Sequence, residues 1–351
     1  MEKILVYPFS LENVAYIKYG KLIKGGVVSS VVSPRGWGLD GLKIEGTDIC
    51  VTSDYEGELK NCTAVWLLED TKKYMPESLL ISKVIEAVHN HKTIWISKNH
   101  CSMDVLERIV PRQNLHYIEK NNVDCNFEAD FYFRLIEINV PVIFVLGSSE
   151  NTNKFETQLA LYEKFSQMGY DVVAINPKSD AGIMEMYSIP EFMWENTMDI
   201  SEKIFTFNHY VKKIEIQEKP ELILIEIPGG VLPYSYNKYN SFGSMMYMIS
   251  FAVKADAAVF CTLYDEYEKE YFDKIIKKIW EKFDVDIKYF HISNYMLDRD
   301  TGRELILTSM LKLDCSYVEK KVADLDVTNI YNIWKDEEVE RLCNDIIEQL
   351  Q

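Results

Sequence analysis

Three short stretches place polar groups where apolar runs stop. The first is Gly147-Ser148-Ser149-Glu150-Asn151-Thr152-Asn153-Lys154-Phe155, between the run VIFVLG (142–147) and a stretch of helical spacing. A polar turn from strand to helix offers backbone N–H groups and a helix N-terminus to phosphate oxygens. Lys154 at the helix start adds a point charge for a β- or γ-phosphate. The spacing departs from GxxxxGK[ST]. Six residues separate Gly147 from Lys154 where that pattern has five, Asn153 replaces its second glycine, and Phe155 replaces its magnesium-binding hydroxyl. Asn is the best non-glycine substitute where φ must be positive. An ordinary βα loop with Thr152 or Asn153 as the helix N-cap is the competing reading.

The second stretch is Leu222-Ile223-Leu224-Ile225-Glu226-Ile227-Pro228-Gly229-Gly230. A carboxylate at the tip of a buried strand beside a phosphate loop is placed to hold the shell of a magnesium ion, and glycines after it let backbone approach a ligand. A strand-end carboxylate at a plain turn is the alternative. The third is Phe290-His291-Ile292-Ser293-Asn294, where the Asn294 amide could pair with a nucleobase edge or bond its own turn. Adjacent His100 and Cys101, and His89 with His91, lack the partners of a dyad or a zinc site, so no metal is expected. The aromatic run Pro233 to Gly243 suits contact with a peptide or protein, and packing of a long loop explains it equally well.

Elements must bring these stretches together. The chain has 351 residues, 47% apolar and 26% charged, enough for two domains with separate cores. Strand-like runs at ILVYP, NVAYIKYG, GGVVSSVVSP, TAVWLLED (63–70), KTIWISK (92–98) and HYIE alternate with helical runs at about 77–90 and in MDVLERIV. A second series begins at VIFVLG and alternates with helices at about 154–168, 198–214, 243–254 and 265–283, ending in a helix of about twenty residues. Strands alternating with helices imply mostly parallel sheets. The expected fold is a two-domain α/β protein: a Rossmann-like domain over 1–135 and a doubly wound domain over 136–351, with ligands at the carboxyl ends of the strands.

Net charge is −17, of which −14 falls after residue 140. Such a chain disfavours nucleic acid and anionic membranes as partners, and its second half favours a basic or neutral one. Seven scattered cysteines without a CxxC pair fit a reducing cytoplasm. No apolar run reaches the ~18 residues of a membrane span, and MEKILVYPFS does not read as a signal peptide.

The three strand ends together resemble the dethiobiotin-synthetase branch of the P-loop NTPases, which has six residues between first glycine and lysine, a strand ending in Glu before a Gly-Gly turn, and a late strand ending in Asn. The whole chain, and VPVIFVLGSSENTNKFETQLAL above all, resembles the peptide-maturation-system proteins encoded beside radical-SAM maturases. The resemblance implies an accessory protein of ribosomal peptide modification, with a precursor peptide or maturation enzyme as partner. It implies ATP or GTP at Gly147, Ser148, Asn151, Thr152, Asn153 and Lys154, with Asn294 at the base and Lys154 and Glu226 at the reacting phosphates. The departures at Asn153 and Phe155 count against magnesium-dependent hydrolysis and leave nucleotide binding intact. Two rivals remain: a scaffold that keeps the fold without the nucleotide, and a transferase or ligase acting on a small carboxylate or amine.

Overall fold

The structure, a computed structural model, describes residues 1–69, 75–118, 120, 123, 134–233, 239–298, 310–323, 325, 327 and 329–351. Along the chain run β1 (Glu2–Tyr7), α1 (Val14–Lys18), β2 (Gly26–Val32), β3 (Val51–Thr52), α2 (Tyr55–Leu59), β4 (Ala64–Leu67), α3 (Glu77–His89), β5 (Thr93–Ile96), α4 (Met103–Ile109) and β6 (Leu115–Tyr117). They are followed by β7 (Val142–Gly147), α5 (Lys154–Gln167), β8 (Val172–Asn176), β9 (Tyr187–Ser188), α6 (Ile200–Glu218), β10 (Leu222–Glu226), α7 (Ser244–Ala252) and β11 (Ala257–Thr262). The rest are α8 (Lys269–Phe283), β12 (Tyr289–Ile292), β13 (Tyr295–Leu297), β14 (Met310–Lys312), α9 (Cys315–Ala323) and α10 (Asp336–Leu350).

The chain forms two compact units, Met1–Asn122 with Lys178–Ser188, and Val123–Pro177 with Ile189–Gln351. Residues 178–188, which lie within the linear span of the second domain, group with the first unit. That fold is the two-domain, mostly parallel α/β class that the alternation predicts.

In the first unit the sheet runs β3-β2-β1-β4-β5-β6, every neighbouring pair parallel. This is the Rossmann strand order. Leu5, Val65, Leu67 and Ile94 of its strands pack with Leu80, Val84 and Ala87 of α3, whose i, i+4, i+7 spacing builds one apolar stripe. NVAYIKYG is not a strand: its apolar residues form the short helix α1, which buries Tyr16 and Ile17 together. Adjacent positions share a buried helical edge but would point apart in a strand. Asp180, 4% exposed, accepts hydrogen bonds from Glu69 N (2.7 Å) and Trp66 Nε1 (3.4 Å), and so ties 178–188 into this unit.

In the second unit the parallel strands run β12-β11-β7-β10-β8. β7, β10 and β11 are buried along their whole length, as strands covered on both faces must be. α5 covers them with Leu159, Leu161 and Phe165, and α6 contributes Phe207, Val211 and Ile214. Glu226 lies in register with Val145, and Cys261 with Gly147. Three strand tips therefore end side by side, with the turn into α5 above the middle one. Two helix boundaries differ from the periodicity. α8 starts at Lys269 rather than 265, and the last helix is α10, 15 residues from the acidic cluster Asp336-Glu337-Glu338 that favours a helix N-terminus. α9 fell in a stretch with no predicted helix. Residues 299–309 lie outside the described residues.

Asp180→Ala removes the acceptor of two buried donors. It is expected to lower stability by about 1–3 kcal/mol in urea unfolding, and an unchanged midpoint would show that these bonds contribute nothing.

Candidate functional site

The turn after β7 is tightly folded. A side chain at Gly147 would run into Thr152 Oγ1 and stand 3.0 Å from the Cys261 carbonyl. Ser148 N donates to that carbonyl (2.9 Å), so the loop is stitched to β11 as it leaves the sheet. Thr152 Oγ1 donates back to Ser149 O (3.1 Å). Asn151 and Asn153 both have φ of 59°. The second of these is the position where the aligned motif has glycine, and asparagine is the residue that meets the left-handed requirement at least cost. Asn153 is the N-cap residue of α5, but its side chain does not cap the helix. Its Nδ2 donates to Glu156 Oε2 (2.9 Å), and its Oδ1 accepts from Ser293 Oγ, which also bonds the Asn151 carbonyl (3.2 Å). Thr152 does not cap it either. The start of α5, with its partial positive charge, is thus left to the loop's concave side. Ser149 Oγ, fully buried there, has no hydrogen-bond partner among the described residues.

Lys154 is 6% exposed. Its Nζ donates to Ser149 O (3.0 Å) and to Gly229 O (2.7 Å), one carbonyl from the loop and one from the turn after β10. Glu226 ends β10 at 4% exposure. Both side chains reach the thiol of Cys261 electrostatically. Burial pushes this thiol up to about 12, a hydrogen bond with Thr157 and the charge of Lys154 oppose the rise, and Glu226 adds to it. Cys261 therefore stays a neutral thiol and serves as packing at the tip of β11. Phe155 is buried in the core and offers no hydroxyl. Among the described residues no group of three His, Cys, Asp or Glu is placed to hold a metal.

Contacts invisible in the linear pattern complete the site. Thr262, fully buried at the end of β11, donates to Ser148 Oγ (3.1 Å) and shares hydrogen bonds with the hydroxyls of Tyr267 and Tyr271, each at 2.9 Å. Asn240 Nδ2 donates to Ser148 O (2.9 Å) and Leu232 O (2.7 Å). A side chain at Gly230 would meet Asn240 and stand 2.7 Å from the Ser148 carbonyl, so the second glycine of the Pro-Gly-Gly turn is there for this close approach. Val231 N donates to Gly147 O (3.0 Å), joining that turn to β7.

The structure thus brings Gly147, Ser148, Asn151, Thr152, Asn153, Lys154 and Glu226 to adjoining strand tips. Asn294 follows Ser293 at the end of β12. Its Nδ2 donates to Leu313 O (3.2 Å) and Cys315 Sγ (3.4 Å), while Oδ1 is buried with no hydrogen-bond partner among the described residues. His100 is buried, its Nδ1 accepting from Ser102 N (3.2 Å). Tyr234, Ser235, Tyr236, Asn237 and Lys238 of the aromatic run lie outside the described residues.

No protein-family model matches the chain, and no curated protein matches it. Among solved structures, a DUF1611 family protein from Anabaena variabilis is similar over 99% of this chain and 100% of its own, at 10% identity and a TM-score of 0.62. At that identity the likeness is one of fold. Cobyrinic acid a,c-diamide synthase from Mycobacterium smegmatis with bound ADP and magnesium overlaps 60% of this chain and 95% of its own, at 9% identity and a TM-score of 0.33. A GTPase from Pyrococcus abyssi in apo form overlaps 60% and 97%, at 12% identity and a TM-score of 0.30.

Two outcomes follow from the geometry. In the folded chain at neutral pH, iodoacetamide should label exposed Cys50 and leave Cys261 unlabelled, read by mass spectrometry; labelling of both would contradict the burial. Cys261, Cys343, Tyr7 and Tyr289 are each held up to about 12, mainly by burial. The neutral forms are the folded forms, so stability from these groups is full below their ordinary values and declines as pH rises from about 9 toward 12. Urea midpoints should fall across that window.

Proposed function

We propose that the second unit binds a nucleotide, its phosphates held by the 147–154 loop and Lys154. The observation that carries this reading is the buried lysine, its ammonium donating to a carbonyl of each of two turns where a glycine-cornered loop, a helix start and a carboxylate-bearing strand tip converge. A phosphate oxygen is a charged acceptor and makes a stronger bond to an ammonium than a carbonyl does. Lys154 therefore has acceptors it can exchange for a ligand without crossing the protein. The loop fits such a group: Ser149 Oγ lacks a partner, two residues hold left-handed φ, and the start of α5 favours an anion.

On this reading the nucleotide supplies an activated phosphoryl group. Lys154 neutralises its charge, and Glu226 at the adjoining tip orients a water molecule or a hydrated cation. Phe155 supplies no hydroxyl to magnesium, so turnover is slow or absent and the bound nucleotide acts mainly as a ligand. A scaffold without nucleotide is favoured only by Phe155. For the wider role we keep the accessory function in ribosomal peptide maturation, with a precursor peptide or maturation enzyme as partner. Its support is the resemblance carried by VPVIFVLGSSENTNKFETQLAL and the domain order.

Calorimetry with ATP and GTP, each with magnesium, tests the site. Saturable binding is expected for the wild type, and Lys154→Met, which keeps the apolar stem, should abolish it while retaining the native far-ultraviolet spectrum. No heat and no thermal shift at millimolar nucleotide in the wild type would overturn the proposal.

A further inference from the structure

Beside the phosphate loop, on its β11 and β12 side, lies a cavity of about 1280 Å³. That is larger than the ~300–1,000 Å³ of ordinary ligand sites. Ser148 of the loop forms part of its wall. The floor and walls are aromatic and apolar: Tyr264, Tyr267, Tyr271 and Tyr317, with Met296 and Leu313. Tyr267 and Tyr271 stack with centroids 4.1 Å apart, and Tyr264 faces Tyr317 at 5.9 Å.

The charge of this lining is opposite to that of the loop. Asp265, Glu266, Glu268 and Glu270 border the cavity, against Lys274 and Lys278. Among the described residues neither lysine forms an ion pair, and neither do Glu266, Glu268 or Glu270, so these three carboxylates are not held in ion pairs by the wall. An anionic ligand would be repelled here while being attracted a few residues away. Tyrosine faces attract a cation, and more strongly where water is excluded. The hydroxyls of Tyr267 and Tyr271 meet on Thr262, which bonds Ser148 Oγ. The cavity wall and the phosphate loop therefore share one hydrogen-bonded hub.

We infer that this cavity is a second ligand site, taking a molecule with a primary ammonium group on an apolar stem, such as a free amine or the lysyl side chain of a peptide. The stem lies on Met296 and Leu313, the ammonium lies among the tyrosine rings and rim carboxylates, and Ser148 separates it from the phosphates. The inference rests on the nucleotide reading only for what the second ligand adjoins; the cavity chemistry stands by itself.

The full chain, without nucleotide, is titrated with cadaverine, with Nα-acetyl-lysine methylamide and with neutral 1-pentanol, followed by ligand-observed NMR. Saturable binding of at least one amine is expected, with little from the alcohol. A preference for cadaverine identifies a free amine, and one for the lysine derivative a peptide. The exposed-rim double variant Glu268→Gln/Glu270→Gln should weaken amine binding by about tenfold with the native far-ultraviolet spectrum retained, and Tyr317→Leu should weaken it as well. Lys154→Met should leave it intact, which separates this site from the nucleotide site. Binding of neither amine at millimolar concentration, equal binding of the alcohol, or no effect of the rim variant would overturn the inference.

Discussion

The ammonium of Lys154, buried and held between the carbonyls of Ser149 and Gly229, is the interaction around which the candidate site of the second unit is organised. A buried cation persists only where acceptors surround it. Here they come from the two turns that follow neighbouring parallel strands, so the lysine fixes the distance between those turns. The same bonds fix the shape of the loop. Thr152 folds onto Ser149, Asn240 and Cys261 hold the two ends of Ser148, and both close approaches leave space only for glycine, at 147 and at 230. The nucleotide reading requires the lysine to be where it is.

Behind it stands an ordinary consequence of sheet topology. β7 lies between β10 and β11, and all three are fully buried strands whose side chains, short of the tips, contribute packing rather than chemistry. Chemistry is left to the last residue of a strand and the positions just past it: Ser148 to Lys154, Glu226 to Gly230, Thr262 to Tyr271 and Ser293 with Asn294. Each tip contributes a different quality. One brings backbone amides and a cation, one a carboxylate, one a chain of hydroxyls. Packing them beside one another sets an anion-seeking loop against an aromatic cavity ringed by carboxylates, two environments of opposite preference joined through Ser148 and Thr262.

Much of this was legible in the sequence because it is local. VIFVLG and LILIE read as buried strands by composition alone, and the left-handed Asn153 follows from asking what can replace glycine. Other features depend on pairs of positions far apart. Nothing near Asn240 announces that its amide reaches Ser148, 92 residues earlier, and the Ser148–Thr262 bond spans 114. Tyr267 reads as part of a helix, whereas α8 begins only at Lys269 and holds Tyr271 alone of the cavity tyrosines. NVAYIKYG misled because a short apolar run satisfies strand and helix patterns alike. The return of 178–188 to the first unit is set by Asp180 meeting Trp66 and Glu69, a tertiary bond that no linear reading contains.

The central claim is that the loop's amides and Lys154 close on an anion. Amide hydrogen exchange across 147–157, measured in the full chain with and without ADP, addresses it at the atoms concerned. The account predicts slower exchange at the amides from Ser149 to Phe155 and at the Gly229–Val231 turn, with the first unit unchanged. Exchange in that loop unaffected by saturating ADP would contradict it.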